Sequence, residues 1–155
     1  MKEIKKILLV CTGNSCRSIM AEGYLVKRLK ELGIKADVMS AGTNAAPGLK
    51  PTEEAVQVTK ENGIDISEYT SSRLNKVQID AADIILVMSR HHRDDALNLE
   101  PEAKNKIRFL REFSLEKTRR TDTIDDPIGK PVRTYREIFE IIKDSIEGFL
   151  KWLKK

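Results

Sequence analysis

Lys6-Ile7-Leu8-Leu9-Val10 runs directly into Cys11-Thr12-Gly13-Asn14-Ser15-Cys16-Arg17-Ser18. A short apolar run without polar alternation is the pattern of a strand buried on both faces of a parallel sheet. The period then changes. Ala21, Leu25, Leu29 and Leu32 recur at helical spacing from about Arg17 onward, and Gly33 supplies a stop. A strand, a polar loop and a helix in that order open a βαβ unit, so the loop lies at the carboxyl end of a strand, where ligands collect in open α/β sheets.

Outward from this unit the same alternation continues. Lys35 to Ala41 reads as a second strand, closed by Gly42 and a loop holding Pro47, Gly48 and Pro51; Thr52 precedes a helix that stops near Asn62-Gly63. Residues 65–74 are polar. Ala81 to Met88 is the clearest central strand after the first, Arg90 to Leu97 a short helix and Ile107 to Leu110 the last strand. Arg111 to Pro131 has no convincing period, and so long a loop inside a compact domain is read here as functional. Tyr135, Ile138, Phe139, Ile142, Ile146, Phe149 and Leu153 mark a long amphipathic helix, whose aromatic positions are core packing. The expectation is a single α/β domain over 1–155, three-layer and doubly wound, with a parallel sheet and helices on both faces.

Composition narrows the partners. With 40% apolar and 34% charged residues, the 155-residue chain reads as globular. Ile7 to Val10 is too short for a signal-peptide core, and no apolar stretch approaches the roughly 18 residues that span a bilayer, so a cytoplasmic protein without a membrane partner is expected. The net charge of +4 is spread over Lys5, Lys6, Arg119, Arg120, Lys154 and Lys155 without interleaved aromatics, which argues against nucleic acid. The two cysteines stand five positions apart, a poor structural disulfide, and are read as reduced. His91 and His92, adjacent on a helix, point about 100° apart and lack a completing ligand set, so they read as solvated surface or helix capping, with no metal.

The loop itself has the parts of an anion cradle. Consecutive backbone amides can curl round one anion, and the helix beginning at Arg17 adds the positive end of its dipole. Gly13 turns without steric cost, and Asn14 tolerates a left-handed conformation. A sulfur at the base of such a ring is held as thiolate by the amides and a nearby guanidinium, which makes Cys11 a candidate nucleophile. Arg17 offers a planar fork to two phosphate oxygens, and Ser18 can donate its hydroxyl to the sulfur. The bland alternative is a cysteine packed as a small hydrophobe; Cys-x5-Arg alone is a loose pattern.

Residues 10–18, V-C-T-G-N-S-C-R-S, with Met20-Ala21-Glu22, Ser40-Ala41-Gly42-Thr43 and Asp126-Pro127, give the chain a resemblance to the low-molecular-weight protein tyrosine phosphatases. The resemblance implies a four-stranded parallel sheet and a mechanism without metal or cofactor. It implies hydrolysis of phosphotyrosine monoesters through a cysteinyl-phosphate on Cys11, with Arg17 as its partner. Thr12, Gly13, Asn14, Ser15, Cys16 and Ser18 would bind or support the phosphoryl group, and Ser40 would hold the loop in shape through Asn14. Hydrolysis also needs a carboxyl that gives and later takes a proton. Asp122, Asp125 and Asp126 are all available, and the resemblance selects Asp126, the one directly before proline. The implied partners are a phosphorylated protein and phosphate-like oxyanion inhibitors, with a monomer as the default state.

Substrate choice stays open between readings. Thr43-Asn44-Ala45-Ala46-Pro47 and Ile128-Gly129 lack the aromatic walls common in tyrosine phosphatases of the family, and Ser15 stands where its bacterial protein-arginine phosphatases carry a small hydroxyl residue. Thioredoxin-coupled arsenate reductases share the Cys11 block and Gly63-Ile64-Asp65-Ile66-Ser67, but they need two further cysteines, and Val87-Met88-Ser89-Arg90 stands where the first is expected. A non-catalytic phosphate-binding module would keep the loop without needing the thiol. Cys16 reads either as a thiol that resolves oxidised Cys11 or as a packing residue.

Overall fold

The computed structural model describes residues 3–155. Its elements run β1 (Lys6–Cys11), α1 (Arg17–Leu32), β2 (Asp37–Gly42), α2 (Glu53–Glu61), α3 (Lys76–Ala81), β3 (Ile84–Val87), α4 (Arg90–Leu99), β4 (Ile107–Phe109) and α5 (Val132–Lys154). Short 3-10 turns occupy Pro101–Lys106, Leu110–Phe113 and Lys117–Arg119. The four strands pair in parallel in the order β2-β1-β3-β4. β1 is therefore central, with β2 to one side and β3 to the other, and the crevice at its carboxyl end is the switch point of a doubly wound sheet.

Burial on both faces explains the unbroken apolar run. Ile7 and Leu9 pack into the layer formed with α1, α2 and α5, while Leu8 and Val10 pack into the opposite layer with Ile79 of α3 and Ala96 of α4. All four strand residues are fully buried, and each such side chain stabilises the fold by roughly 1.5–3 kcal/mol. Helices thus cover both faces, the three-layer arrangement expected. Among the described residues no helix is long and apolar enough to cross a membrane.

Local signals set the helix ends. Gly33 closes α1 in the left-handed region at φ 68°, and the Thr52 hydroxyl accepts the Ala55 amide at the start of α2. α3 was not anticipated. A reciprocal capping box starts it, with Asn75 accepting from the Gln78 amide and Gln78 from the Asn75 amide. Because that helix claims Ala81, the strand expected over Ala81 to Met88 shortens to Ile84–Val87, and Asp83 instead turns the chain by accepting the Lys5 and Lys6 amides.

α5 buries one face along its length, including Tyr135, Phe139 and Phe149. At Gly148 the helix backbone meets the Leu110–Phe113 turn so closely that an added Cβ would fall 1.6 Å from the Phe113 carbonyl oxygen. This contact seats the root of the long segment that leads to Asp126.

Candidate active site

The loop leaving β1 is shaped by Asn14. It holds φ 53°, the one left-handed non-glycine residue among those described, and Gly13 stays outside that region. The strain is held by a saturated amide: Oδ1 accepts the Ser72 N–H at 2.8 Å, and Nδ2 donates to Ser18 Oγ at 2.7 Å and to Ser40 Oγ at 2.9 Å. Ser40 in turn donates to Glu22 Oε1 at 2.5 Å. Gly42 completes the support, because a Cβ there would lie 2.4 Å from the Thr12 carbonyl oxygen and 2.9 Å from the Asn14 nitrogen. The amides of Thr43 and Asn44 donate to the Cys11 and Thr12 carbonyls, both at 2.9 Å. The Ser40-to-Thr43 block is thus a steric and hydrogen-bonding bed for the loop.

Cys11 lies at the base of a cavity of about 200 Å³ lined by Thr12, Gly13, Ser15, Cys16, Arg17, Asp126 and Ile128. Its sulfur is 2.9 Å from Ser18 Oγ. No side chain caps the first turn of α1, so its amides are left for an anion. Arg17 is buried; Nη1 donates to the Ile124 carbonyl at 2.9 Å, and Nη2 lies 3.5 Å from Asp126 Oδ2. Asp126 is 42% exposed at the mouth, where Oδ1 accepts the Ile128 amide at 3.1 Å. A sulfur, a buried cation and an open carboxylate therefore converge on one small cavity. Asp122 is instead paired with Arg90, and Asp125 lies exposed beside the mouth.

Cys16 lines the same cavity, but its sulfur is held among neighbouring hydroxyls. Its sulfur contacts Tyr135 Oη at 3.5 Å and Thr52 Oγ1 at 3.8 Å, and burial pushes its thiol up from the ordinary range against the pull of those hydroxyls. Both cysteines are free thiols.

Of the two histidines expected as solvated surface or helix capping, His91 fits and His92 is a correction. His91 is exposed, but His92 is fully buried, with Nε2 2.8 Å from Thr12 Oγ1 and Nδ1 3.0 Å from Ser89 Oγ. Burial, then the charges of Arg17 and His91, hold its pKa down to about 3, so it braces the loop as a neutral ring. Among the described residues no group of three His, Cys, Asp or Glu gathers that could hold a metal ion. Glu22 and Ser72 also escaped sequence reasoning. Nothing in the Met20-Ala21-Glu22 run itself gives Glu22 a role, yet burial pushes its carboxyl up while the Ser40 hydroxyl pulls it back.

A family model described as low molecular weight phosphotyrosine protein phosphatase matches residues 6–155. A protein-arginine-phosphatase of Geobacillus stearothermophilus is 41% identical over 151 residues, covering 96% of each chain. Arsenate reductase 2 of Staphylococcus haemolyticus is 34% identical over 145 residues, covering 94% of this chain and 95% of its own. The crystal structure of a low molecular weight protein tyrosine phosphatase from T. tengcongensis superimposes with a TM-score of 0.87 at 34% identity, covering 95% of this chain and 98% of the other. The chain belongs to the low molecular weight phosphotyrosine protein phosphatase family, and with it to the protein phosphatases among the hydrolases.

Proposed function

We propose that Cys11 attacks the phosphorus of a phosphorylated protein side chain and that phosphoarginine is the preferred substrate. The observation that supports the chemistry best is the meeting of Cys11, Arg17 and Asp126 over one cavity, with the sulfur 2.9 Å from a hydroxyl. In the first step the S–P bond forms as the P–N bond of phosphoarginine breaks, and Asp126 gives its proton to the departing nitrogen. The loop amides and the Arg17 guanidinium hold the three equatorial oxygens as charge spreads over them. In the second step water attacks phosphorus, Asp126 takes the proton, and the S–P bond breaks to return the thiolate and release phosphate.

Three observations support the guanidinium-borne phosphoryl group. The cavity lining carries no aromatic ring, the small polar Ser15 is part of it, and the Asp126 carboxylate at the mouth suits a cationic leaving group. A relative 41% identical bears the name of that activity. Phosphotyrosine is the second reading, favoured by Ile128, which is 52% exposed on the rim and offers an apolar surface to a phenyl ring. Arsenate reduction lacks its relay, since the chain has two cysteines in all.

The test compares kcat/KM on phosphoarginine and phosphotyrosine peptides in EDTA, with Cys11→Ser and rapid-quench trapping of labelled enzyme alongside. Faster phosphoarginine turnover through a trapped thiophosphate is the expected result. The reverse ranking assigns the second reading, and full turnover by Cys11→Ser would overturn both.

A further inference from the structure

A line of hydrogen bonds leads from the Cys11 sulfur to a separate depression of about 470 Å³ lined in part by Glu22, Ser40, Tyr69, Ser72 and Gln78. Its direction can be worked out atom by atom. The Ser72 N–H can only donate, so the Asn14 oxygen faces it and both protons of Asn14 Nδ2 point to Ser18 and Ser40. Ser18 therefore accepts from Asn14, and its single hydroxyl proton is free for the sulfur 2.9 Å away. Ser40 likewise accepts from Asn14, so its proton must leave in the opposite direction. Glu22 Oε1, 2.5 Å from Ser40 Oγ, is the acceptor that receives it.

We propose that Glu22 is a positioning residue for the nucleophile: by accepting the Ser40 proton it fixes Ser40 as an acceptor for Asn14, and so holds Ser18 as a donor to Cys11 Sγ. Glu22 touches neither the cavity nor the sulfur and acts through three intervening side chains. Without it, the Ser40 hydroxyl turns toward water in the depression and releases one Asn14 Nδ2 proton. The left-handed residue then loses one of its three side-chain anchors. A carboxylate acting merely as a like charge would have the opposite effect on the sulfur, because negative charge nearby disfavours a thiolate.

The inference rests on Cys11 being the nucleophile, and the opposed signs make it testable without turnover. The measurement is the pH midpoint of Cys11 alkylation by iodoacetamide, read on the Cys11 peptide by mass spectrometry. Glu22→Ala is expected to raise the midpoint by about 0.5–1 pH unit, a part of the roughly 1–2 units that one hydrogen bond to a charged group is worth, because the Ser18 donor is loosened rather than removed. Its kcat should fall about three- to tenfold with KM within about twofold. Glu22→Gln, which keeps an acceptor oxygen, should restore most of both. Ser40→Ala deletes the same link and should match Glu22→Ala, and the double variant should be no worse than either. A lower Tm with an unchanged midpoint, a midpoint that falls, or additive single effects would each overturn the proposal. If Glu22→Ala does not fold, Ser40→Ala carries the same expectation. Failure to trap phosphate on Cys11 removes the nucleophile reading whatever the midpoint does, so the two failures are separable.

Discussion

Between Cys11 and Ser18 the polar side chains are tied into the body of the protein: Asn14 to Ser18, Ser40 and Ser72, Thr12 to His92, and Arg17 to Ile124. Between Thr121 and Lys130 the anchors are mostly backbone groups, chiefly the Ile124 amide on the Met88 carbonyl and the Thr123 carbonyl under Arg111, with Asp122 paired to Arg90 at the surface and Asp126 half-exposed. The two loops meet at the Arg17 guanidinium. The difference suits the tasks proposed for them. A ring of amides stabilises a transition state only if its dipoles are already aligned when the substrate arrives. A carboxyl that gives a proton to one leaving group and then takes one from water has to stand where both can reach it.

The largest break in this contrast comes from the open side. Asp126→Asn is expected to lower kcat about 10²- to 10⁴-fold, the usual contribution of a general acid, while thiophosphate trapping shows Cys11 still competent; Asp125→Asn should leave kcat within a few-fold. Gly42→Ala attacks the rigid side from below, since its methyl group meets the Thr12 carbonyl and the Asn14 amide. A shift of the loop of about 1 Å would cost on the order of 10²-fold in kcat, measurable on the same substrate.

His92 sharpens the contrast through pH. Its imidazole is held neutral down to about 3 in the fold, whereas the unfolded chain protonates near its ordinary value of 6.5. Stability is therefore intact above about pH 6.5 and is lost as pH falls from there toward 3, by about 2 kcal/mol between pH 7 and pH 5. Urea denaturation at the two pH values should show that loss, and His92→Gln should lack this share of it. The smallest effect belongs to Arg111→Ala, which removes the hydrogen bond to the Thr123 carbonyl, 2.8 Å, next to the exposed loop, together with one to the Arg119 carbonyl, 3.0 Å, farther from Asp126. A two- to fivefold fall in kcat with an unchanged rate of Cys11 alkylation would place its influence on the Asp126 side alone, in line with one hydrogen bond of about 1 kcal/mol.

The strand, loop and helix around Cys11 were legible because their signals are local: an apolar run, a turn pair and a helical period. α3 was also written locally, in Asn75 and Gln78, but the apolar stretch after Ala81 drew the strand too early. The bracing of the loop was not legible. His92 and Thr12 are 80 positions apart and Ser72 and Asn14 are 58 apart, and no spacing rule connects them. Asp126 was separable from Asp122 and Asp125 only through the family resemblance; in the structure it is the aspartate paired with Arg17.

Gly148 shows how far this dependence extends. Glycine within a helix costs about 1 kcal/mol relative to alanine, yet α5 carries one where the Phe113 carbonyl presses against its backbone. A methyl group there would act as a wedge, lifting the root of the segment whose far end bears Asp126. The reach of the proposed proton donor is in this sense adjusted from behind, by a helix that lines none of the Cys11 cavity.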